Sequence, residues 1–374
     1  MRLKVLALAL AAAAASCAAP QVDRAPALTA LADFPQAPPT PALPTGPISK
    51  LVIGSCLNEE WNRSQAALER MTAEKADLAI LMGDNVYGSG TEDDPQLSDL
   101  RASYWQQARR KEFKALVSST PTLAVWDDHD FGKNDGGGED FPGRVVAQKM
   151  FDAFWRVGPG DPRAHDDGVY GSWMIGPAGQ RVQIILLDTR YWRSPLKPTD
   201  QRNAKGKERW VEDVTPGKTM LGEGQWRWLA GELKKPADLR LVVSSVQIAA
   251  LGHGYEKWGN FPLERTRFFD LVKSTGAKGV VVLSGDRHYT AINMEPVAAP
   301  YPIYDFTSSA INMPWGAGES ETLPTMVSPA YTQENYGVVS IDWTKRTVTL
   351  EARDKQGQPI FAKAIPFAEI GAGG

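Results

Sequence analysis

The residue types that bind cations recur in short clusters along this chain: Gly54-Ser55-Cys56, Gly83-Asp84-Asn85-Val86-Tyr87, Trp126-Asp127-Asp128-His129-Asp130, Asp188-Thr189-Arg190 and Ser284-Gly285-Asp286-Arg287-His288. Any one of these aspartates alone is ordinarily a turn or a helix cap. Asp84, Asp127, Asp128, Asp130 and Asp286 gathered in one crevice would repel one another, and would have to bind cations or take up protons. Gly83 allows close backbone approach, Asp84 can bridge two cations, and Tyr87 can offer a phenolate. That phenolate needs a strong Lewis acid such as ferric iron, because a free phenol titrates near ~10. Cys56 adds a thiolate and His288 an imidazole, which favour iron or zinc over magnesium. Asp128 and Asp286 with a shared Asp84 form an oxygen-rich set, suited to Ca²⁺, Mg²⁺ or Mn²⁺.

The elements that must position these donors follow one pattern, a short β-branched run ending in a polar cluster. Leu51-Val52-Ile53 leads to Cys56, Leu78–Met82 to Asp84, Thr122–Val125 to Asp127 and Asp128, Val182–Leu187 to Asp188, and Val280–Leu283 to Asp286. Leu241-Val242-Val243 and Ile303–Phe306 end in Ser244-Ser245 and Thr307-Ser308-Ser309. Continuous apolar runs suit strands buried on both faces. Helical segments are expected at Arg63–Lys75, Leu97–Leu116, Arg144–Arg156, Gly224–Lys234 and Leu263–Ser274. The order of strand and helix implies an α/β fold, whose ligands sit beyond the carboxyl ends of the strands. Gly337–Trp343 and Val348–Arg353 read as a hairpin.

The bulk composition of the 374 residues, 43% hydrophobic and 23% charged, is that of a globular protein. A formal net charge of -3 gives no argument for nucleic acid or an anionic membrane surface, and the twelve Trp read as packing residues. Residues 1–17 have a basic start and an Ala/Leu run too short to span a bilayer, and read as a signal peptide for export to the periplasm or cell envelope. Ala14-Ala15-Ser16-Cys17 resembles a lipobox, so Cys17 would be a lipidated membrane tether, with ordinary cleavage nearby as the alternative. Residues 18–47 are Pro/Ala-rich and read as a disordered, partly extended linker. The domain proper is 48–374. Cys56 is then a lone thiol, either a buried structural cysteine or a metal ligand.

Taken in order, these clusters resemble the PhoD-like (alkaline phosphatase D) family of metallophosphatases, from about Ile48 to the C-terminus. The segments Phe131-Gly132-Lys133-Asn134-Asp135, Met220–Leu229, Trp258–Pro262 and Asp305–Ser309 are further points of resemblance. The resemblance implies a calcineurin-like four-layer α/β/β/α sandwich and hydrolysis of phosphate monoesters and diesters by a metal-bound hydroxide. It implies a ferric ion with Ca²⁺, while Zn²⁺, Mg²⁺ and Mn²⁺ remain open. Carried over by motif, Cys56, Asp84, Tyr87 and His288 would hold the iron. Asp84 would bridge to a second cation held by Asp128 and Asp286, with Asp127 an alternative to Asp128. His129 falls where phosphate is contacted or the leaving group protonated. Arg190 would neutralise phosphate oxygens or form a structural salt bridge, and Asn134 would bond phosphate or shape a turn. Asp188 is either a distal ligand or a support for Arg190, and His165 and His253 are read as surface or cleft-rim residues. Larger family members carry an N-terminal β-sandwich domain and often a twin-Arg signal, neither of which this sequence shows. The competing readings are a phospholipase D-type phosphodiesterase and a metal-stabilised binding protein without turnover. Nothing in the sequence sets the oligomeric state or the natural substrate.

Overall fold

The apolar runs become strands in the computed structural model, which describes residues 33–90, 93–296, 300–314 and 322–373. The signal segment, Cys17 and residues 18–32 of the expected linker lie outside the described residues. In chain order the first half comprises β1 (Lys50–Gly54), α1 (Ala66–Ala73), β2 (Leu78–Met82), α2 (Ser98–Gln107), α3 (Lys111–Ser119), β3 (Thr122–Val125), α4 (Asp128–Phe131) and α5 (Arg144–Phe154). Then come β4 (Gly171–Ile175), β5 (Val182–Leu187), β6 (Lys197–Pro198), β7 (Trp210–Val211), α6 (Gly222–Leu233), β8 (Leu239–Ser244), α7 (Pro262–Thr275) and β9 (Val280–Ser284). The chain closes with β10 (Thr290–Glu295), β11 (Ile303–Ser308), β12 (Asn335–Asp342), β13 (Thr347–Asp354) and β14 (Pro359–Pro366).

Two six-stranded sheets result, in the orders β14-β13-β12-β1-β2-β3 and β10-β11-β9-β8-β5-β4. In the first the parallel strands β1-β2-β3 form one half and antiparallel strands the other, and in the second a parallel centre, β11-β9-β8-β5, has an antiparallel strand at each edge. The residues of β2, β5, β8 and β9 are buried throughout, as strands covered on both faces must be. Helices α1 and α3 bury Leu68, Met71, Phe113 and Leu116 beside the first sheet, and α6 and α7 bury Trp226, Leu229, Phe268 and Val272 beside the second. All of these belong to one core that includes residues of both sheets. This is the α/β architecture that the order of strand and helix implies, in the helix-flanked two-sheet form that the resemblance implies.

The two sheets meet at their strand ends, and Gly285 allows it. A Cβ there would stand 2.6 Å from Ser55 Oγ and 3.0 Å from the Met82 carbonyl. Ser308 Oγ donates to the Ile53 carbonyl at 3.4 Å, and Ser55 Oγ to the Ser308 carbonyl at 3.4 Å. The clusters following β1, β2 and β9 are thereby forced into one place.

Two local expectations are corrected. The helix expected from Leu97 to Leu116 is two helices, α2 and α3, because Arg110 turns away at the break. Its guanidinium donates to the carbonyls of Glu60 at 2.7 Å and Arg63 at 2.8 Å. Neither Gly nor Pro marks that break in the sequence. Residues 33–47 also do not behave as a disordered linker. They have almost no regular secondary structure, yet Phe34 and Ala37 are buried, Ala37 N donates to the Phe154 carbonyl at 2.9 Å, and Thr40 Oγ1 receives Thr122 N at 2.8 Å. The described part of that stretch is a strap laid on the domain.

Candidate metal centre

Cys56, Asp84, Asp128, Asp286 and His288 all lie within a few residues of the C-terminal ends of β1, β2, β3 and β9. Four of them hold left-handed backbone: Cys56 at φ 56°, Asp84 at 51°, Asp286 at 67° and His288 at 56°. Such backbone costs a non-glycine residue about 1–2 kcal/mol. Its concentration at one spot marks a site where the surrounding fold over-determines the chain. Gly83, at φ 105°, opens the turn that swings Asp84 inward, and a Cβ there would meet Asp127 Cβ at 2.5 Å.

On one side of Asp84, Cys56 Sγ lies 3.4 Å from Asp84 Oδ2 and 3.0 Å from Ser309 Oγ, and Tyr87 Oη donates to Asp84 Oδ2 at 3.2 Å. Ligand atoms of Cys56, Asp84 and His288 lie within 4.8 Å of one another. His288 is oriented by the Met313 carbonyl at Nδ1 and by Ser309 Oγ, which accepts from His288 N at 2.7 Å. A backbone carbonyl on one ring nitrogen leaves the other available as a ligand. Burial alone would raise the Cys56 thiol, but the His288 charge and bonds from His288, Ser309 and Tyr87 bring it down to about 6. Burial pulls His288 down, and the adjacent Cys56 charge more than reverses it. Without a metal these shifts favour a thiolate beside an imidazolium, and a cation bound there would displace the His288 proton. Burial, then the charges of Cys56 and Asp84, push the Tyr87 phenol well above its usual range. A strong Lewis acid is needed to ionise it.

On the other side, Asp84, Asp128 and His129 form a second group with ligand atoms within 4.8 Å, and Asp127, Asp128 and Asp286 a third. Burial first, and then the Asp128 charge, push Asp84 well above the carboxylate range; burial and the charges of Asp127, Glu256 and Asp128 do the same to Asp286. Burial opposes ionisation of Asp128, yet the charges of His129 and Arg190 and the Asp135 N–H, which donates at 2.7 Å, hold it below the usual range. Asp130 caps α4 and also receives Asp84 N at 3.3 Å and Asn85 N at 3.1 Å, tying the β2 turn to the β3 turn. The donors fit two cations sharing Asp84, one beside sulfur, nitrogen and phenol, the other beside Asp128 and His129, with Asp286 grouped on Asp128. The buried Asp127 Oδ2, which has no hydrogen-bond donor among the described residues, supports this fit, since a buried carboxylate oxygen requires a partner.

These residues line a cavity of about 290 Å³ that contains Asp84, Tyr87, Asp128, His129, Asp286 and His288. His129 projects into it with Nδ1 on Ser89 Oγ at 2.7 Å, its ring 4.3 Å from that of Tyr87. Asn134 also reaches the wall. Of the two adjacent aspartates, Asp128 lines the cavity. Asp127 turns back, with Oδ1 accepting from Arg190 Nε and Ser245 Oγ, both at 2.6 Å.

Arg190 is corrected by the structure. It is fully buried, bonded to Asp127 and, through Nη1 at 2.9 Å and Nη2 at 2.7 Å, to both carboxylate oxygens of Glu256, and it does not line the cavity. Its role is the salt bridge, not phosphate contact. Asp188 likewise holds a turn, accepting from Arg190 N at 2.7 Å and Tyr191 N at 2.9 Å. His253 is buried against Gln247 at 3.0 Å rather than at the rim. The cationic residues that do line the cavity are Arg209 and Arg287, joined by Tyr255, Glu256 and Asp135. Arg287 adjoins Asp286 in sequence, which could have flagged it. Arg209 and Glu256 lie in loops with no neighbouring donor motif, and only the fold brings them in.

Among solved structures, this fold resembles the structure of PhoD, with a TM-score of 0.66 and 18% identity over 86% of this chain and 73% of that one. It also resembles the purple acid phosphatase PPD1 from yellow lupin (Lupinus luteus) seeds, with a TM-score of 0.55 and 11% identity over 88% and 56% of the two chains. At these identities the likeness is one of fold, two helix-flanked sheets. Alkaline phosphatase D of Bacillus subtilis (strain 168) is 26% identical over 257 residues, 59% of this chain and 43% of its own length. This chain therefore spans less than half of that curated relative. The model of the PhoD-like phosphatase family matches residues 51–352, and the chain belongs to that family.

Proposed function

We propose that the protein hydrolyses phosphate esters, monoesters or diesters, with two cations at the strand-end cluster. The observation carrying this reading is that two donor groups of different chemistry share Asp84 at the head of one cavity. In this reading Cys56, Asp84, Tyr87 and His288 hold a ferric ion. Asp84, Asp128 and Asp286 hold Ca²⁺. The thiol lowered to about 6 and the adjacent phenol suit a strongly Lewis-acidic metal, and the carboxylates of Asp128 and Asp286 suit an oxygen-preferring cation. When bound, such cations supply Lewis acidity toward the phosphoryl oxygens and the attacking water. His129, held by Ser89, would place a proton near the departing oxygen, and Asn134 would hydrogen-bond the phosphate. Arg209 and Arg287 are the cationic side chains positioned to face its charge. Export to the cell envelope, with Cys17 as tether, belongs to the same reading and rests on the N-terminal Ala/Leu run.

Asp84→Ala should abolish metal content and hydrolysis together. Elemental analysis of the purified protein, run beside p-nitrophenyl phosphate and bis(p-nitrophenyl) phosphate assays, tests this. A variant that retains wild-type turnover sinks the reading. Visible absorption from iron bound to Cys56 and Tyr87 tests the metal, and an iron-free, colourless and fully active enzyme removes it.

A further inference from the structure

A second cavity, of about 430 Å³, adjoins the metal cavity and shares three of its lining residues, Asn134, Asp135 and Arg209. Its far wall is formed by Thr199, Arg202 and Trp210 from the small β6–β7 ribbon and its connecting loop. The two cavities adjoin, with Asp135 in the wall they share, and the second forms a groove beside the first. That residue's carboxylate accepts from Trp210 Nε1 at 2.8 Å and Arg209 Nη1 at 3.2 Å, while its N–H holds Asp128. The charge of the ribbon departs from that of the chain. Between Lys197 and Arg209 stand Lys197, Arg202, Lys205, Lys207 and Arg209 against Asp200 and Glu208, a local balance of five minus two, or +3, in a protein of net -3. Lys207 pairs with Asp200 and Arg209 with Asp135. Arg202 is exposed and lines the groove with no ion-pair partner among the described residues.

We propose that this groove is a subsite for a second phosphate of the substrate, so that the enzyme favours esters carrying another phosphate beyond the one it cleaves. The inference rests on the phosphoesterase reading above. An exposed guanidinium beside a partly buried indole offers a bidentate anion contact, and the positive loop attracts a polyanion toward the groove at low salt. Arg202 and Lys205 touch none of the metal donors, so their removal leaves the chemistry intact.

The test uses whichever p-nitrophenyl ester the full-length protein hydrolyses as reporter, with glycerol monophosphate and glycerol bisphosphate as competitors. The bisphosphate should inhibit about tenfold more tightly than the monophosphate at low ionic strength, a gap of about 1.4 kcal/mol. The gap should close in half-molar salt. Arg202→Gln and Arg202→Gln/Lys205→Gln should reduce it to threefold or less, with kcat on the reporter ester unchanged within about twofold. Equal inhibition by the two competitors in the wild type, or a preference that survives both substitutions, overturns the subsite. Failure to hydrolyse either reporter ester overturns the phosphoesterase reading instead, so the two failures are distinguishable.

Discussion

At the scale of single residues, Arg190 shows how chemistry depends on what a side chain touches. Its position after a strand end, beside Asp188, gave it equal claims to phosphate and to a salt bridge. Burial and its contacts with Asp127 and Glu256 assign it to the latter. Glu256 also takes Arg193, so two guanidinium groups and two carboxylates form one buried network. Arg190→Ala would leave Asp127 and Glu256 buried with a missing partner, and should cost about 3–5 kcal/mol in urea unfolding. A variant as stable as wild type but with a raised KM would return Arg190 to the substrate. The donors themselves were legible because Cys, Tyr, His and Asp at successive strand ends have few other joint explanations. The choice between Asp127 and Asp128 was not, since adjacent residues after one strand differ only in which way the turn throws them.

Among the elements, the β2 turn positions the whole centre. Gly83 sits at φ 105°, where an added Cβ would stand 2.5 Å from Asp127 Cβ, so the turns after β2 and β3 are packed closely at that point. Gly83→Ala should therefore displace Asp84 from both donor groups. The expected outcome is a loss of at least about 2 kcal/mol in stability together with most of the bound metal, read by unfolding and elemental analysis. Full metal content in that variant would show that the turn adjusts freely. The parallel strands were readable from their unbroken apolar runs, whereas β4, β10 and β14, edge or near-edge strands with mixed burial, carry no such signature. The break between α2 and α3 was hidden for a different reason. It is held by Arg110 reaching carbonyls about fifty residues earlier in the chain, and no local residue announces it.

For the molecule as a whole, stability depends on groups far from the centre as well. Burial pushes Asp152 up to about 7, against the opposing charge of Arg163 and with a further rise from Asp161, and its Oδ1 has no hydrogen-bond partner among the described residues. An unfolded aspartate releases its proton near ~3.9, so the folded protein binds the extra proton between that pH and about 7. This contribution is full below pH ~4 and is lost as pH rises toward 7. Asp152→Asn should flatten that slope, making the variant more stable than wild type by about 1–2 kcal/mol at pH 8 and closer to it at pH 4. Chemical denaturation at the two pH values checks it, and an identical difference at both would rule it out. The strap of residues 33–47 belongs to the same scale, because a Pro-rich stretch reads as linker until Phe34 finds Tyr104 at 5.7 Å between ring centroids. The sequence by itself determined the α/β order, the strand ends and the chemical types of the donors, since these follow from local periodicity and side-chain chemistry. Only the tertiary structure decided which donors share Asp84, which arginines face the cavity and that a basic ribbon extends it. Those are contacts between segments tens to hundreds of residues apart, set by how the two sheets meet and not by any local pattern.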